Sequence, residues 1–247
     1  MPASKIIVTG AAQGIGRAVA LRMAVTGAHV AIWDVQADGA EETARLCREQ
    51  SATARAWRVD VAAADEVEAA AATFAREWGT PDALVNNAGI YPRAHALDME
   101  LAEWERVLRV NLFGTFHCAC AVARRMKEEG GGAIVNMASG RALAGAARGA
   151  HYAASKGGII ALTKSLALDW APHGIRVNCV IPGITDTAQP RAELTDNELY
   201  AVGERIPLGR IGEPRDIAAA VAFLLGDDSA YMTGQSIAVN GGAIMVP

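Results

Sequence analysis

Lys5-Ile6-Ile7-Val8-Thr9-Gly10-Ala11-Ala12-Gln13-Gly14-Ile15-Gly16 joins an apolar run of strand length to a turn holding three glycines and then to a segment of helical period. Glycines in a strand-to-helix turn let the backbone come close to a ligand, and the helix N-terminus beyond favours an anion such as a pyrophosphate. A tight turn also wants glycine, and the spacing departs from the common Gly-x-Gly-x-x-Gly pattern, so the weight rests on its position after the first strand.

The same alternation continues outward. Residues 5–8, 29–33, 56–59, 83–85, 133–137 and 176–180 read as short buried strands, with 237–239 as a possible seventh. Residues 16–26, 37–50, 65–78, 101–129, 152–171 and 214–225 read as helices. Strand and helix in strict alternation predict an α/β fold with a parallel sheet covered on both faces. There is no internal repeat, linker or charge run to mark a boundary, so 1–247 is expected to be one domain. The rhythm breaks only at 187–212, where short polar pieces suggest a mobile segment above the sheet.

Composition narrows the function. Lys and Arg number 23 against 27 Asp and Glu, a net charge of −4 spread along the chain. No basic footprint for nucleic acid is present. Hydrophobic residues make up 51% and charged ones 20%, enough apolar material for a sizeable core. The longest uncharged run, 229–247, carries too many polar groups to span a membrane, and the first residues show no export signal. Cys47, Cys118, Cys120 and Cys179 form no Cys-x-x-Cys pair, so free thiols in a cytoplasmic protein are expected, without a metal.

In such a sheet, ligands bind beyond the carboxyl ends of the strands. Asp34 ends the second strand about 20 residues past the glycines, where an adenosine ribose would lie; its carboxylate suits the hydroxyls of NAD and repels the extra phosphate of NADP. Unit charges about 4 Å apart at an effective dielectric near 20 interact by roughly 4 kcal/mol, a preference of several hundredfold or more. Gln13 supplies no offsetting charge. Asp60 and Val61 follow the third strand and suit an adenine edge or a plain turn. Asn86-Asn87-Ala88-Gly89 follows the fourth; Asn86 either touches a cofactor or stitches strands together.

Tyr152-Ala153-Ala154-Ser155-Lys156 sets a phenol and an ammonium on one helix face, about 6 Å apart along the axis. That pair suits acid–base work on an alcohol or ketone, with the cation favouring the phenolate. Lowering a phenol by about 3 units takes roughly 4 kcal/mol. Ser139 ends the preceding strand, 13 positions before Tyr152, where its hydroxyl could bond the substrate oxygen or merely cap a turn.

Taken in order, Thr9-Gly10-x-x-x-Gly14-x-Gly16, Asp60-Val61, Asn86-Asn87-Ala88-Gly89, Ser139, Tyr152-x-x-x-Lys156 and Pro182-Gly183 with Thr185 and Thr187 resemble the short-chain dehydrogenase/reductase family from Lys5 to about Gly242. The resemblance implies a Rossmann-like doubly wound fold, commonly tetrameric, moving hydride between a nicotinamide and a carbinol or carbonyl carbon. It implies Tyr152 as general base, Ser139 steadying the substrate oxygen, Lys156 also gripping the nicotinamide ribose, and Asn111 holding a water that relays protons from Lys156. Thr187 and the backbone near Ile184 would hold the carboxamide, with Gly10, Gln13, Gly14, Ile15, Gly16, Asp34, Asp60, Val61, Asn87, Ala88, Gly89, Pro182, Gly183 and Thr185 completing the cofactor site. Asn240 stands where many relatives carry Asp, and Ala138 where a second Ser is frequent.

Tyr91, Arg141, Leu143 and His151 are candidates around the substrate, together with the stretch 188–206. Arg141 either turns inward to a carboxylate or hydroxyl or stays solvated, and His151, about 100° around the helix from Tyr152, is expected at a surface or interface. The leading expectation is an NAD-dependent dehydrogenase of a secondary alcohol, polyol or hydroxy acid. A 3-oxoacyl thioester (acyl-carrier-protein) reductase is the alternative. A non-catalytic nucleotide-binding scaffold is disfavoured by the presence of all four catalytic candidates.

Overall fold

The computed structural model describes residues 4–245. Seven strands form one parallel sheet in the order β3-β2-β1-β4-β5-β6-β7. They are β1 (Lys5–Thr9), β2 (His29–Asp34), β3 (Thr53–Arg58), β4 (Ala83–Asn86), β5 (Gly132–Met137), β6 (Ile175–Pro182) and β7 (Ser236–Val239). The helices are α1 (Gly14–Ala24), α2 (Ala37–Glu49), α3 (Ala64–Trp78), α4 (Leu101–Leu108), α5 (Gly114–Glu128), α6 (Arg141–Ala144), α7 (Ala150–Trp170), α8 (Ala188–Arg191), α9 (Asp196–Glu204) and α10 (Pro214–Leu225).

Successive strand residues serve opposite faces. Ile6 and Val8 of β1 pack with α1, α2 and α10, whereas Ile7 between them packs with α3, α5 and α7. This period-two division is why the strands read as continuous apolar runs: both faces are covered. The doubly wound architecture expected from the alternation is the observed one, and 237–239 does lie within a seventh strand, paired with β6.

Three elements depart from the sequence reading. β3 begins at Thr53, not residue 56, because Thr53 to Ala56 pair with His29 to Ile32 at the sheet edge, where exposed Thr53 and Arg55 alternate with more buried neighbours. The long helix expected over 101–129 is broken by a π-helical turn, Arg109–Phe113, between α4 and α5. Such turns insert one extra residue per turn and re-aim side chains. Residues 187–212, read as irregular pieces, include α8 and α9, the latter closed by a capping box between Thr195 and Glu198. The base of this segment is fastened by a parallel bridge between Thr185 and Gly212, with Gly212 N–H donating to Ile184 at 2.9 Å.

β1 lies between β2 and β4, so the connections leaving β1 and β4 diverge to opposite faces. A crevice opens at that point of divergence in folds of this kind.

Candidate active site

The turn after β1 is packed too tightly for side chains. Gly10 has φ +63°, and a Cβ there would lie 2.6 Å from Ala88 Cα; one on Gly16 would lie 2.3 Å from the Gly10 carbonyl oxygen. Gly14 has φ +57°, and a Cβ there would lie 3.3 Å from the Thr187 methyl. The three glycines therefore act differently. Gly10 and Gly16 press the turn onto the loop after β4, whereas Gly14 leaves room beneath the 187–212 segment. Gln13 precedes α1 without capping it, so the first-turn amides of α1 carry no side-chain partner from their N-cap.

Asn87 ties the turn to β4. Its Nδ2 donates to the carbonyls of Thr9 (3.1 Å) and Gly10 (2.8 Å), and the Asn87 and Ala88 amides donate to Thr9 Oγ1. Asn86 takes the structural role of its two: Nδ2 donates to Asn136 Oδ1 on β5 at 2.9 Å, in a fully buried network that continues to Thr163.

A cleft of about 600 Å³ runs past this turn, within the roughly 300–1,000 Å³ of small-molecule sites. Gly10, Gln13, Gly14, Ile15, Asp34, Asp60, Val61, Asn87, Ala88, Gly89 and Thr187 all line it. Gly16 does not, being committed to packing. Pro182, Gly183, Ile184 and Thr185 lie at the end of β6 and base of the 187–212 segment, outside that lining. Arg106, Arg109, Val110 and Gln189 also line the cleft and were not read from the sequence. Arg106 sits on α4 and Arg109 opens the π-helical turn, in a stretch where only Asn111 was singled out from the sequence, and only tertiary packing brings the two arginines over the cleft.

Asp34 ends β2 with 8% of its surface exposed. Its Oδ2 accepts the Ala12 amide and its Oδ1 the Gln36 amide, both at 2.9 Å. Each oxygen keeps a second lone pair for a hydroxyl donor. Asp60 lines the cleft, and its Oδ1 accepts the Ala62 amide at 2.9 Å in a turn.

The chemical groups gather beyond β5. Tyr152 lies in the first turn of α7, and burial pushes its phenol up while the Ser139 hydroxyl and the Arg141 charge pull the other way. Lys156 Nζ, one turn on, donates to the Met137 carbonyl at 2.7 Å and stands 5.8 Å from the Tyr152 ring centroid. Burial pulls its own ammonium down to about 8. In the protein alone burial is the largest influence on the Tyr152 phenol, which stands above its ordinary range.

Asn111 sits in the π-helical turn, fully buried, with Nδ2 donating to the Ile90 carbonyl and Ser155 Oγ and Oδ1 accepting the Ile90 amide. A Cβ on Gly89 would lie 3.3 Å from Asn111 Oδ1 and 3.4 Å from Lys156 Nζ. Glycine at 89 thus leaves both polar atoms facing one point. The ring of Tyr91 stacks on that of Tyr152, centroids 4.0 Å apart. Arg141 is exposed, and its amide donates to Ser139 Oγ at 3.2 Å.

His151 corrects the sequence reading. It is fully buried rather than superficial, with Nδ1 accepting the Tyr152 amide at 2.7 Å and Nε2 3.2 Å from Glu103 Oε1 on α4. The long α7 begins deep against α4, so even the first-turn position away from the Tyr152 face is covered. Asn240 shapes a turn, as expected: its Oδ1 accepts the Gly242 amide at 2.9 Å.

The sequence matches, over residues 10–243, the short-chain dehydrogenase profile described as enoyl-(acyl carrier protein) reductase. The chain belongs to the short-chain dehydrogenase/reductase family. It is similar to the D-threitol dehydrogenase of Mycolicibacterium smegmatis, 41% identical over 96% of this chain and 91% of that one. It is also similar to the cis-4-hydroxycyclohexanecarboxylate dehydrogenase of Sinomonas cyclohexanicum, 41% identical over 96% of this chain and 94% of that one. A 3-oxoacyl-[acyl-carrier-protein] reductase from Chlamydia trachomatis is 39% identical over 96% of this chain and 95% of that one. Among solved structures, a short-chain alcohol dehydrogenase from Sinorhizobium meliloti 1021 superposes with a TM-score of 0.93 at 36% identity, covering 98% of this chain and 96% of that one. A member of this family is an oxidoreductase of CH–OH and carbonyl groups using a nicotinamide cofactor, and the glycine cradle and cleft fit such a dinucleotide. Among the described residues no helix is long and apolar enough to cross a membrane, and no cluster of His, Cys, Asp or Glu is arranged for a metal.

Proposed function

We propose that this protein is an NAD-preferring dehydrogenase of a secondary alcohol, polyol or hydroxy acid. The observation that carries this reading is the Asp34 carboxylate, oriented by two backbone amides at the edge of the cleft, with uncharged Gln13, Val35 and Gln36 as its cleft neighbours. A fixed, little-exposed anion favours ribose hydroxyls and disfavours a ribose phosphate.

When bound, the nicotinamide supplies the hydride acceptor or donor. The chain supplies the proton path. In oxidation Tyr152 Oη takes the carbinol proton while Ser139 Oγ donates to the substrate oxygen. Lys156, held by Met137, lends its charge to the phenolate and the ribose, and the point shared by Lys156 Nζ and Asn111 Oδ1 beside Gly89 suits a relayed proton. Thr187 and the Pro182-to-Thr185 turn would hold the carboxamide end, while Tyr91 and Arg141 would border the substrate. The 187–212 segment is read as a movable cover, the active species as a cytoplasmic homotetramer.

Turnover of NAD⁺ against NADP⁺ over a panel of alcohols, polyols and hydroxy acids, beside NADPH-linked reduction of a 3-oxoacyl thioester, tests this reading. NAD⁺-linked oxidation supports it. A preference for the phosphorylated cofactor with the thioester as best substrate overturns it, and relatives of that activity at 38–40% identity make the comparison necessary.

A further inference from the structure

A stack of side chains links the general base to the 187–212 segment, and the roles above leave its outer member unused. Tyr91 lies against Tyr152 with ring planes 26° from parallel. The Arg93 guanidinium carbon sits over Tyr91, 5.3 Å from its centroid. Arg93 Nη1 donates to Glu193 Oε2 at 2.6 Å, and Glu193 belongs to the loop between α8 and α9. About a third of each of these two side chains is exposed, 31% and 34%, so the pair is not sealed inside the fold. Its Nε is nonetheless buried and has no hydrogen-bond partner.

Buried N–H donors are nearly always satisfied, so an orphan beside an active site requires a reason. Guanidinium offers Nε and Nη2 as one edge whose spacing matches two oxygens or one shared oxygen. Glu193 engages Nη1 and leaves that edge uncommitted. Meanwhile the aromatic face of Tyr91 and the Glu193 carboxylate hold the group in place, so little side-chain freedom is lost when a ligand binds. Arg141 lacks this: its side chain has no comparable anchor, and its contact with Ser139 is through the backbone.

We propose that Arg93 is a specificity-determining residue whose Nε–Nη2 edge binds an oxygen acceptor, a carboxylate or a hydroxyl, on the end of the substrate remote from the reacting carbon. This rests on the reading of the substrate as a polyol or hydroxy acid. Glu193 offsets the Arg93 charge, so a neutral hydroxyl is admitted as well as a carboxylate, and a simple alcohol leaves the donor edge unmatched.

The experiment measures NAD⁺-linked kcat/KM for 3-hydroxybutyrate, 1,3-butanediol and 2-butanol with the full-length wild type, Arg93→Met, Arg93→Lys and Glu193→Gln. The carboxylate and hydroxyl arms tell which acceptor is read. Arg93→Met should lower the ratio of the better oxygenated substrate to 2-butanol by about 10- to 100-fold, chiefly through KM, as expected for losing a charged hydrogen bond. Arg93→Lys, which keeps charge without the planar fork, should fall between. Glu193→Gln should loosen the same ratio less than Arg93→Met. An unchanged ratio, or an equal fall on all three substrates, overturns the proposal and makes Arg93 a prop for Tyr91. Should the wild type turn over none of the three with NAD⁺ but reduce acetoacetyl thioester with NADPH, the reading of function falls. The Arg93 proposal is then judged by the same ratio between that thioester and 2-butanone.

Discussion

The amide of Tyr152 donates to the imidazole Nδ1 of the residue before it, His151, at 2.7 Å. Helix α7 starts after Gly149, which has no side chain to cap it, so its first-turn amides need other acceptors. A ring nitrogen that accepts carries no proton, hence the neutral imidazole bears its proton on Nε2 and donates to Glu103, 3.2 Å away. One buried side chain thus caps α7 at Tyr152, the proposed general base, and pins that helix to α4.

His151→Ala should therefore destabilise the fold by about 1–3 kcal/mol, the cost of stranding buried polar groups. It should also lower kcat more than it weakens NADH binding. His151→Asn places an acceptor at the reach of Nδ1 and should recover part of kcat without restoring the Glu103 link. Melting temperature and steady-state kinetics of the two variants check this; identical losses in both would remove the capping role.

Tyr152→Phe should leave NADH binding by fluorescence within about twofold and reduce turnover by about 10³-fold or more, since general acid–base catalysis supplies factors of that order. The phenol must be ionised to take the carbinol proton, so oxidation should quicken as pH rises and ketone reduction quicken as it falls. Opposite pH limbs in the two directions are the signature; parallel limbs would assign the proton transfer elsewhere.

Lys156 is costly to the fold. Its ammonium, normally near 10.5, titrates at about 8 because burial disfavours the charge. The unfolded chain holds that proton up to about 10.5, so between about 8 and 10.5 the unfolded state binds more protons and this group's contribution to stability rises with pH. Lys156→Met should remove the rise, worth about 3 kcal/mol, and should melt higher than wild type at pH 7 while losing turnover. Melting curves of both proteins from pH 7 to about 10.5 check this; a difference that does not narrow with pH refutes the burial cost.

Asp34→Ala should raise the NADP⁺ to NAD⁺ ratio of kcat/KM by about 100-fold or more, the scale set by removing a charge about 4 Å from a phosphate. Because Asp34 also accepts the Ala12 and Gln36 amides, some loss of stability should accompany the switch. Asp34→Asn, which keeps an acceptor, separates the two effects: specificity should shift while melting temperature holds closer to wild type.

The free thiols offer little reactivity. Burial pushes Cys47 and Cys179 up to about 11 and Cys118 higher still. At pH 7 they remain thiols, and labelling by a maleimide should be confined to half-buried Cys120 until the protein unfolds. Rapid modification of all four in the native protein would contradict the packing.

Most of the fold and much of the site were legible because they rest on local rules. Apolar runs alternating with helical periods define a parallel sheet, a glycine turn after its first strand defines where a ligand approaches, and Tyr152 and Lys156 share a helix face by spacing alone. What stayed hidden depends on partners far along the chain. Thr53 joins an edge strand only because His29 lies beside it. Asn111 turns inward through a π-helical turn that no residue type announces. His151 is buried because α4 lies over the start of α7. Arg93 meets Glu193, 100 positions away, on the loop between α8 and α9. Periodicity and turn chemistry act between neighbours and can be read from the string; burial, orphaned donors and the balance between desolvation and charge exist only after distant segments meet, so the environment of Tyr152, Lys156 and Arg93 was decided by tertiary structure.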